Sequence, residues 1–216
     1  MVDGDMIYET LKKLVEPDKI FFDIGANIGQ TTIISSRRVG VGGRIVAFEP
    51  SARNIQMLKY HVRWNRLSNV QVEETCVGAS NGEVEFSLVN DGLDSSNSLT
   101  FSRKCDLPEM KRKLQKVMVP ITTIDDFCRR TGIMPDVVKI DVEGAEYDVL
   151  MGAKEVLMTK RPKLLMGVHP FWWPDGQAKT AIQDFLRGCD YQVTNVQGEE
   201  AAPDAYADFV CVPRPA

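Results

Sequence analysis

The sequence has no excess of basic charge. It carries 26 Lys+Arg against 30 Asp+Glu, a formal net charge of -4. That excludes the electrostatic footprint of a nucleic-acid partner, and no N/D-P-P-Y/F motif is present to grip a flipped base. No run of 18 apolar residues occurs, so no membrane span is expected. The first residues, MVDGDMIYETLKK, lack the basic region and apolar core of a secretory signal. The five cysteines, at 76, 105, 128, 189 and 211, include no C-x-x-C pair. Free thiols in a reducing, cytoplasmic compartment are expected instead of disulfides or a zinc site. Histidine is scarce: His61 and His169 are the only two. Two nucleotide motifs are also missing, the G-x-G-x-x-G dinucleotide fingerprint and the G-x-x-x-x-G-K-[ST] loop of triphosphatases.

What is present has the composition of an ordinary globular chain, 216 residues long and 44% hydrophobic, which fits one domain spanning 1–216. Apolar residues at helical spacing mark an N-terminal helix within 1–18. Apolar strand-like runs then alternate with helical patterns. Strands are expected at 20–24, 44–50, 70–77, 83–88, 117–121, 163–168, 191–196 and 208–212, with 136–146 read as a further buried strand running into a glycine turn and helix. Helices are expected at 31–38, from Ser51 as cap, and from Thr122 or Thr123, where Asp125 and Asp126 are placed for a capping box. Val149, Leu150, Ala153, Val156 and Leu157 mark the buried face of another helix, and Ile182, Phe185 and Leu186 of the last. Such alternation implies an α/β fold with a mainly parallel sheet covered on both faces. Residues 89–116 break the rhythm and are expected to form an insertion near the cleft or a surface loop.

In such folds ligands sit beyond the carboxyl ends of the strands. The chain concentrates polar and glycine residues at five such ends: 23–29, Glu49, Val77-Gly78, 141–143 and His169. The first is Gly25-Ala26-Asn27-Ile28-Gly29, a G-x-x-x-G turn after a buried strand. Glycine there lets a ligand approach where a Cβ would collide. Glu49 follows Gly29 by 20 residues, the position of an acid that holds both hydroxyls of a ribose. NAD and S-adenosylmethionine (SAM) both carry that ribose. Asp23 favours SAM, because a carboxylate before the turn repels a pyrophosphate and suits an ammonium group.

The segments FFDIGANIGQTT, VAFEP, VGASNGEVEF, TTIDDF, VVKIDVEGAEYDVLMGA and LLMGVHP, in this order over roughly 20–170, resemble the successive motifs of the FkbM family of SAM-dependent methyltransferases. The resemblance implies a Rossmann-like three-layer α/β/α sandwich with a seven-stranded sheet whose last strand is antiparallel. It implies transfer of a methyl group to a hydroxyl of a sugar, polyketide or other secondary metabolite. Carried over by position, Asp23, Gly25, Ala26, Asn27 and Gly29 would hold the methionine end of SAM. Glu49, Pro50 and Ser51 would lie at the ribose, and Val77, Gly78 and Ser80 along the adenine. The family often has an acid near position 80, where this chain has Ser80-Asn81. The serine-rich segment 95–98 resembles one that reaches the cofactor in relatives. Asp141 would sit near the sulfonium and the acceptor.

Methyl transfer to a hydroxyl needs a proton acceptor. His169, with an imidazole expected to titrate near ~6.5, and Asp141 are the two candidates. Asp141, Glu143, Glu146 and His169 are also a possible divalent-metal set. It is not favoured, because Glu143 and Glu146 are placed to stabilise the next helix N-terminus. Phe171-Trp172-Trp173 would stack on a flat acceptor or form a hydrophobic plug or oligomer contact. The oligomeric state is not legible. An NAD-dependent oxidoreductase and a non-catalytic SAM-binding protein are the competing readings.

Overall fold

The computed structural model describes residues 4–89, 114–173 and 180–215. In chain order the helices are α1 Gly4–Leu14, α2 Gln30–Val39, α3 Ala52–Trp64, α4 Ile124–Thr131, α5 Glu146–Met151, α6 Lys154–Thr159 and α7 Ala181–Gly188. The strands are β1 Ile20–Ile24, β2 Arg44–Phe48, β3 Val70–Glu73, β4 Cys76–Val77, β5 Gly82–Val89, β6 Leu114–Thr122, β7 Val137–Ile140, β8 Lys163–Val168, β9 Tyr191–Asn195 and β10 Ala207–Pro213. A seven-stranded sheet runs in the order β3-β2-β1-β7-β8-β10-β9. β1, β2, β3, β7 and β8 pair in parallel, and the last strand, β10, is antiparallel to both β8 and β9. The strand order reverses between β1 and β7, which opens a crevice above their carboxyl ends.

Each sheet face has its own core. Phe22, Ile24, Val138 and Ile140 point to one face, where they pack with buried residues of α4, α5, α6 and α7. Phe21, Val137 and Leu165 point to the other, against Leu11, Leu14 and Val15 from α1 and the turn after it. Phe22, Phe48 and Phe127 meet edge to face at centroid distances of 5.0–5.5 Å, fixing α4 beneath the crevice. Among the described residues no helix is long and apolar enough to cross a membrane. Cys76, Cys128, Cys189 and Cys211 are free and buried; Cys105 lies outside the described residues.

Four sequence expectations need correction. The strand at 70–77 is two short strands in different sheets. β4 leaves the main sheet and joins β5 and β6 in a small sheet of order β4-β6-β5. The helix expected through Val149 and Leu157 is broken at Gly152, where a Cβ would lie 2.0 Å from the Gly78 carbonyl oxygen. Ser51 precedes α3, but its side chain makes no cap bond; its backbone N–H donates to Glu49 instead. Thr123 does cap α4, accepting from the Asp126 N–H at 3.0 Å. Asp125 serves the neighbouring helix, accepting from the N–H groups of Glu155 and Val156 at the start of α6. Of the segment 89–116, residues 90–113 lie outside the described residues, the serine-rich 95–98 among them.

Candidate active site

The turn after β1 is built on positive φ angles. Gly25, Asn27 and Gly29 have φ of 74°, 50° and 94°. A Cβ on Gly25 would meet the Asp141 carbonyl oxygen at 2.0 Å, so the turn lies directly against the backbone after β7. Gly25 and Ala26 donate backbone bonds to the Phe48 carbonyl, and Lys139 Nζ donates to the Gly25 carbonyl at 2.8 Å. His61 ties α3 to this turn: its Nδ1 lies 2.7 Å from the Ile28 carbonyl.

Glu49 directly follows β2 and faces the crevice. One carboxylate oxygen accepts from the Asn27 N–H at 2.9 Å, the other from the Ser51 N–H and the Asn54 amide. Burial raises its pKa above the ordinary 4.5, and these donors and the Lys139 charge only partly offset that. The crevice holds about 650 Å³ of open space and is lined by Gly25, Asn27, Glu49, Pro50, Val77 and Asp141 of the expected set. Glu143, named among the strand-end acids, also lines it, as do Asn54, Thr75, Cys76 and Phe86, which had no advance signal in the sequence. Phe86 comes from the small sheet, which forms the outer wall. Ala26, Gly29, Ser51 and Gly78 are buried behind the lining, and Ser80 is exposed in the turn before β5.

Asp23 works from beneath. It is fully buried, and one oxygen accepts from Thr31 Oγ1 and Thr32 Oγ1 at 2.7 and 2.6 Å. Its other oxygen lies 3.3 Å from Lys139 Nζ, because Asp23 and Lys139 are register partners in β1 and β7. Its side chain therefore braces the cradle from beneath.

At the far end of the crevice Asp141, Glu143 and His169 converge. His169 Nε2 is 3.6 Å from Asp141 Oδ1 and 3.8 Å from Glu143 Oε2, and Nδ1 is 2.7 Å from Glu146 Oε1. Glu146 is fully buried and also accepts from the Gly144 N–H and from Trp173 Nε1. Trp173 is thus a plug and not a stacking surface, while Phe171 remains 69% exposed. Burial opposes protonation of His169, but the Glu146 bond and the charges of Glu143, Glu146 and Asp141 outweigh it and push the pKa up to about 9. The expected titration near ~6.5 is corrected accordingly: this imidazole holds its proton at neutral pH.

No signal in the sequence pointed to Asp208. β10 runs antiparallel, so its first residues, not its last, reach the functional edge of the sheet, with Asp208 opposite Gly167. A Cβ on Gly167 would lie 3.2–3.4 Å from His169 Cε1, Asp141 Oδ1 and Asp208 Oδ1, so all three side chains share one floor. Burial and the Asp141 charge raise the Asp208 pKa. A second pocket opens here, lined by Ile7 and Tyr8 of α1 with Thr31, Lys139, Asp141, Gly167 and Asp208. Tyr206 covers His169 edge-on, at 5.2 Å between centroids.

The family described as Methyltransferase FkbM domain matches residues 23–193, from the carboxylate under the first turn to the penultimate strand. The chain belongs to this family. Its fold is the one the family resemblance implied. The chain is 30% identical over 159 residues to the 2-O-methyltransferase NoeI of Sinorhizobium fredii, covering 68% of this chain and 63% of NoeI. It is 24% identical over 220 residues to the AMB antimetabolite synthetase AmbE of Pseudomonas aeruginosa, covering 88% of this chain and 10% of that much longer protein. A crystal structure of methyltransferase FkbM from Methylobacillus flagellatus superimposes with a TM-score of 0.57 at 18% identity, over 95% of this chain and 50% of that one. This chain therefore spans less than two thirds of each of these relatives.

SAM is the cofactor of FkbM methyltransferases, and the crevice fits it. The Gly25 turn and Asn27 line the crevice, and the Glu49 carboxylate faces the space a ribose would fill. A dinucleotide fits poorly. The hydroxyls of Thr31 and Thr32 at the start of α2 are engaged by the buried Asp23 carboxylate, which opposes a pyrophosphate there.

Proposed function

We propose that this protein transfers a methyl group from SAM to a hydroxyl of a small molecule, such as a sugar, a polyketide or another secondary metabolite. The observation that carries this reading is the position of Asp141, which lines both the cofactor crevice and the second pocket. Donor and acceptor chambers would meet at that residue. The 2-O-methyltransferase activity of NoeI supports oxygen as the atom methylated.

When bound, SAM supplies an electrophilic methyl group, so the protein must orient the acceptor and exclude water. The backbone of 25–29 with Asn27 would hold the methionine end, and Glu49 the ribose hydroxyls. Pro50, Thr75, Cys76 and Val77 would flank the adenosine. Asp141 is the group at the methyl end able to take the acceptor's proton, because His169 already holds its own at neutral pH. Position favours Asp141: its side chain is 45% exposed, whereas the His169 side chain is 8% exposed and tied to Glu146. His169 then orients Asp141.

Incubation with methyl-labelled SAM and a panel of hydroxylated acceptors is expected to give an O-methyl product. Label found on amines alone would overturn the hydroxyl assignment. S-adenosylhomocysteine binding without any turnover would favour the non-catalytic reading.

Glu49→Ala removes two charge-assisted bonds to the ribose and is expected to weaken S-adenosylhomocysteine binding well over ~10-fold by calorimetry. Unchanged affinity would remove Glu49 from the site. The raised pKa adds a pH signature. In the free protein the neutral carboxyl persists above 4.5, so Glu49 costs stability as pH rises from 4.5 to its folded value. Ribose hydroxyls donate, and so favour the ionised form. Binding in mildly acid buffer should therefore release protons, read as a buffer-dependent calorimetric enthalpy that disappears in Glu49→Gln. Proton uptake on binding would contradict the assignment.

A further inference from the structure

The arrangement of Asp141, Glu143 and His169 is more specific than the methyl-transfer scheme requires. Position in the sequence puts Glu143 and Glu146 alike at the start of the next helix, but the structure separates them. Glu146 is fully buried and spends its carboxylate on Gly144, Trp173 and His169. Glu143 turns toward His169 Nε2. We infer that Asp141, Glu143 and His169 form a binding site for one divalent cation of the Mg²⁺ or Mn²⁺ class.

Three observations carry this. One donor atom from each residue lies within 4.8 Å of the other two. Ligand atoms ~2.1 Å from one such ion stand ~3–4 Å apart in octahedral geometry. The His169 Nε2 distances to Asp141 and Glu143, 3.6 and 3.8 Å, fall in that range and are too long for hydrogen bonds.

The second observation is orientation. Nδ1 of His169 bonds a fully buried carboxylate, which fixes the ring and aims Nε2 between the two other acids. A carboxylate behind a histidine is the arrangement that orients metal-ligating imidazoles. The third is charge. Asp141, Glu143, Glu146 and Asp208 gather at this end of the crevice, and Lys139 is shared between Asp141 and the buried Asp23. With the cation displacing the Nε2 proton of His169, two carboxylates and one imidazole make a hard, mostly oxygen donor set, which suits Mn²⁺ and Mg²⁺ over thiophilic ions. Asp141 lines both the cofactor crevice and the second pocket, so the cation would stand where the two meet.

The test is Mn²⁺ titration of the EDTA-stripped full chain, with bound ion counted by loss of the free-Mn²⁺ electron paramagnetic resonance signal. One ion per chain is expected. His169→Ala and Glu143→Gln should each abolish the saturable uptake. Glu146→Gln, which removes only the orienting group, should weaken it by about 10- to 100-fold. Circular dichroism melts check that each variant folds; Glu143 sits in a loop and its side chain is 20% exposed, so its exchange leaves the core intact. No uptake at millimolar Mn²⁺, or uptake undiminished in folded Glu143→Gln, overturns the inference. S-adenosylhomocysteine affinity is measured on the same samples. Cofactor binding without Mn²⁺ uptake would remove the cation site and leave the methyltransferase reading standing.

Discussion

Replacing Gly25 with alanine is expected to abolish cofactor binding, with a loss of at least ~100-fold in S-adenosylhomocysteine affinity. The added Cβ would lie 2.0 Å from the Asp141 carbonyl oxygen, far inside contact distance. The turn cannot move aside. Gly25 is held by its N–H on Phe48 and its carbonyl on Lys139, and Asp141 is held by its N–H on the Ile24 carbonyl. Relief must come from parting β1 and β7 at their carboxyl ends, which is where the crevice lies. The left-handed φ of 74° adds a strain of about 1 kcal/mol for a residue with a Cβ. Gly40→Ala separates the two effects. Gly40 has φ of 69°, but a Cβ there would have nothing within 4 Å, so alanine meets the strain without the clash. Its affinity should match that of the native protein. A Gly25→Ala variant within threefold of native affinity would refute the close approach.

Glu146→Ala should be the most destabilising change at the site. It would strand three buried donors at once: the Gly144 N–H, His169 Nδ1 and Trp173 Nε1. Breaking a buried charged contact by removing one partner costs roughly 3–5 kcal/mol. Against a total stability of about 5–15 kcal/mol this is a large share. The melting temperature should fall on the order of 10 °C. Glu146→Gln keeps the volume and one acceptor oxygen and should recover part of the loss. Thermal melts of the two variants decide the matter; equal stability of Glu146→Ala and native protein would show that these bonds contribute little.

Much of this architecture was legible because its signals are local and periodic. Buried strands such as 20–24 and 163–168 announce themselves by continuous apolar runs, and both appear with those bounds. The small sheet was not legible. Nothing within 70–77 says that Cys76 and Val77 leave β3 to pair with Ile121 and Thr122, more than forty residues away. Asp125 shows the same limit within one helix turn. Its position suits a cap of its own helix, yet its carboxylate caps α6, thirty residues on, because packing brings the two helix starts together.

The sequence by itself determined the alternation of strands and helices, the glycine turn, the acid at position 49 and the family to which the chain belongs. These depend on residue type and spacing along one strand–turn–helix unit at a time. Only the tertiary structure decided what the charged groups face. It placed Asp23 under the turn with Lys139, put Glu146 behind His169, and brought Asp208 in from an antiparallel strand. The physical reason is range. A carboxylate's role is set by whichever donors and charges stand within 3–4 Å of it, and in this protein those neighbours arrive from strands and helices distant in the chain.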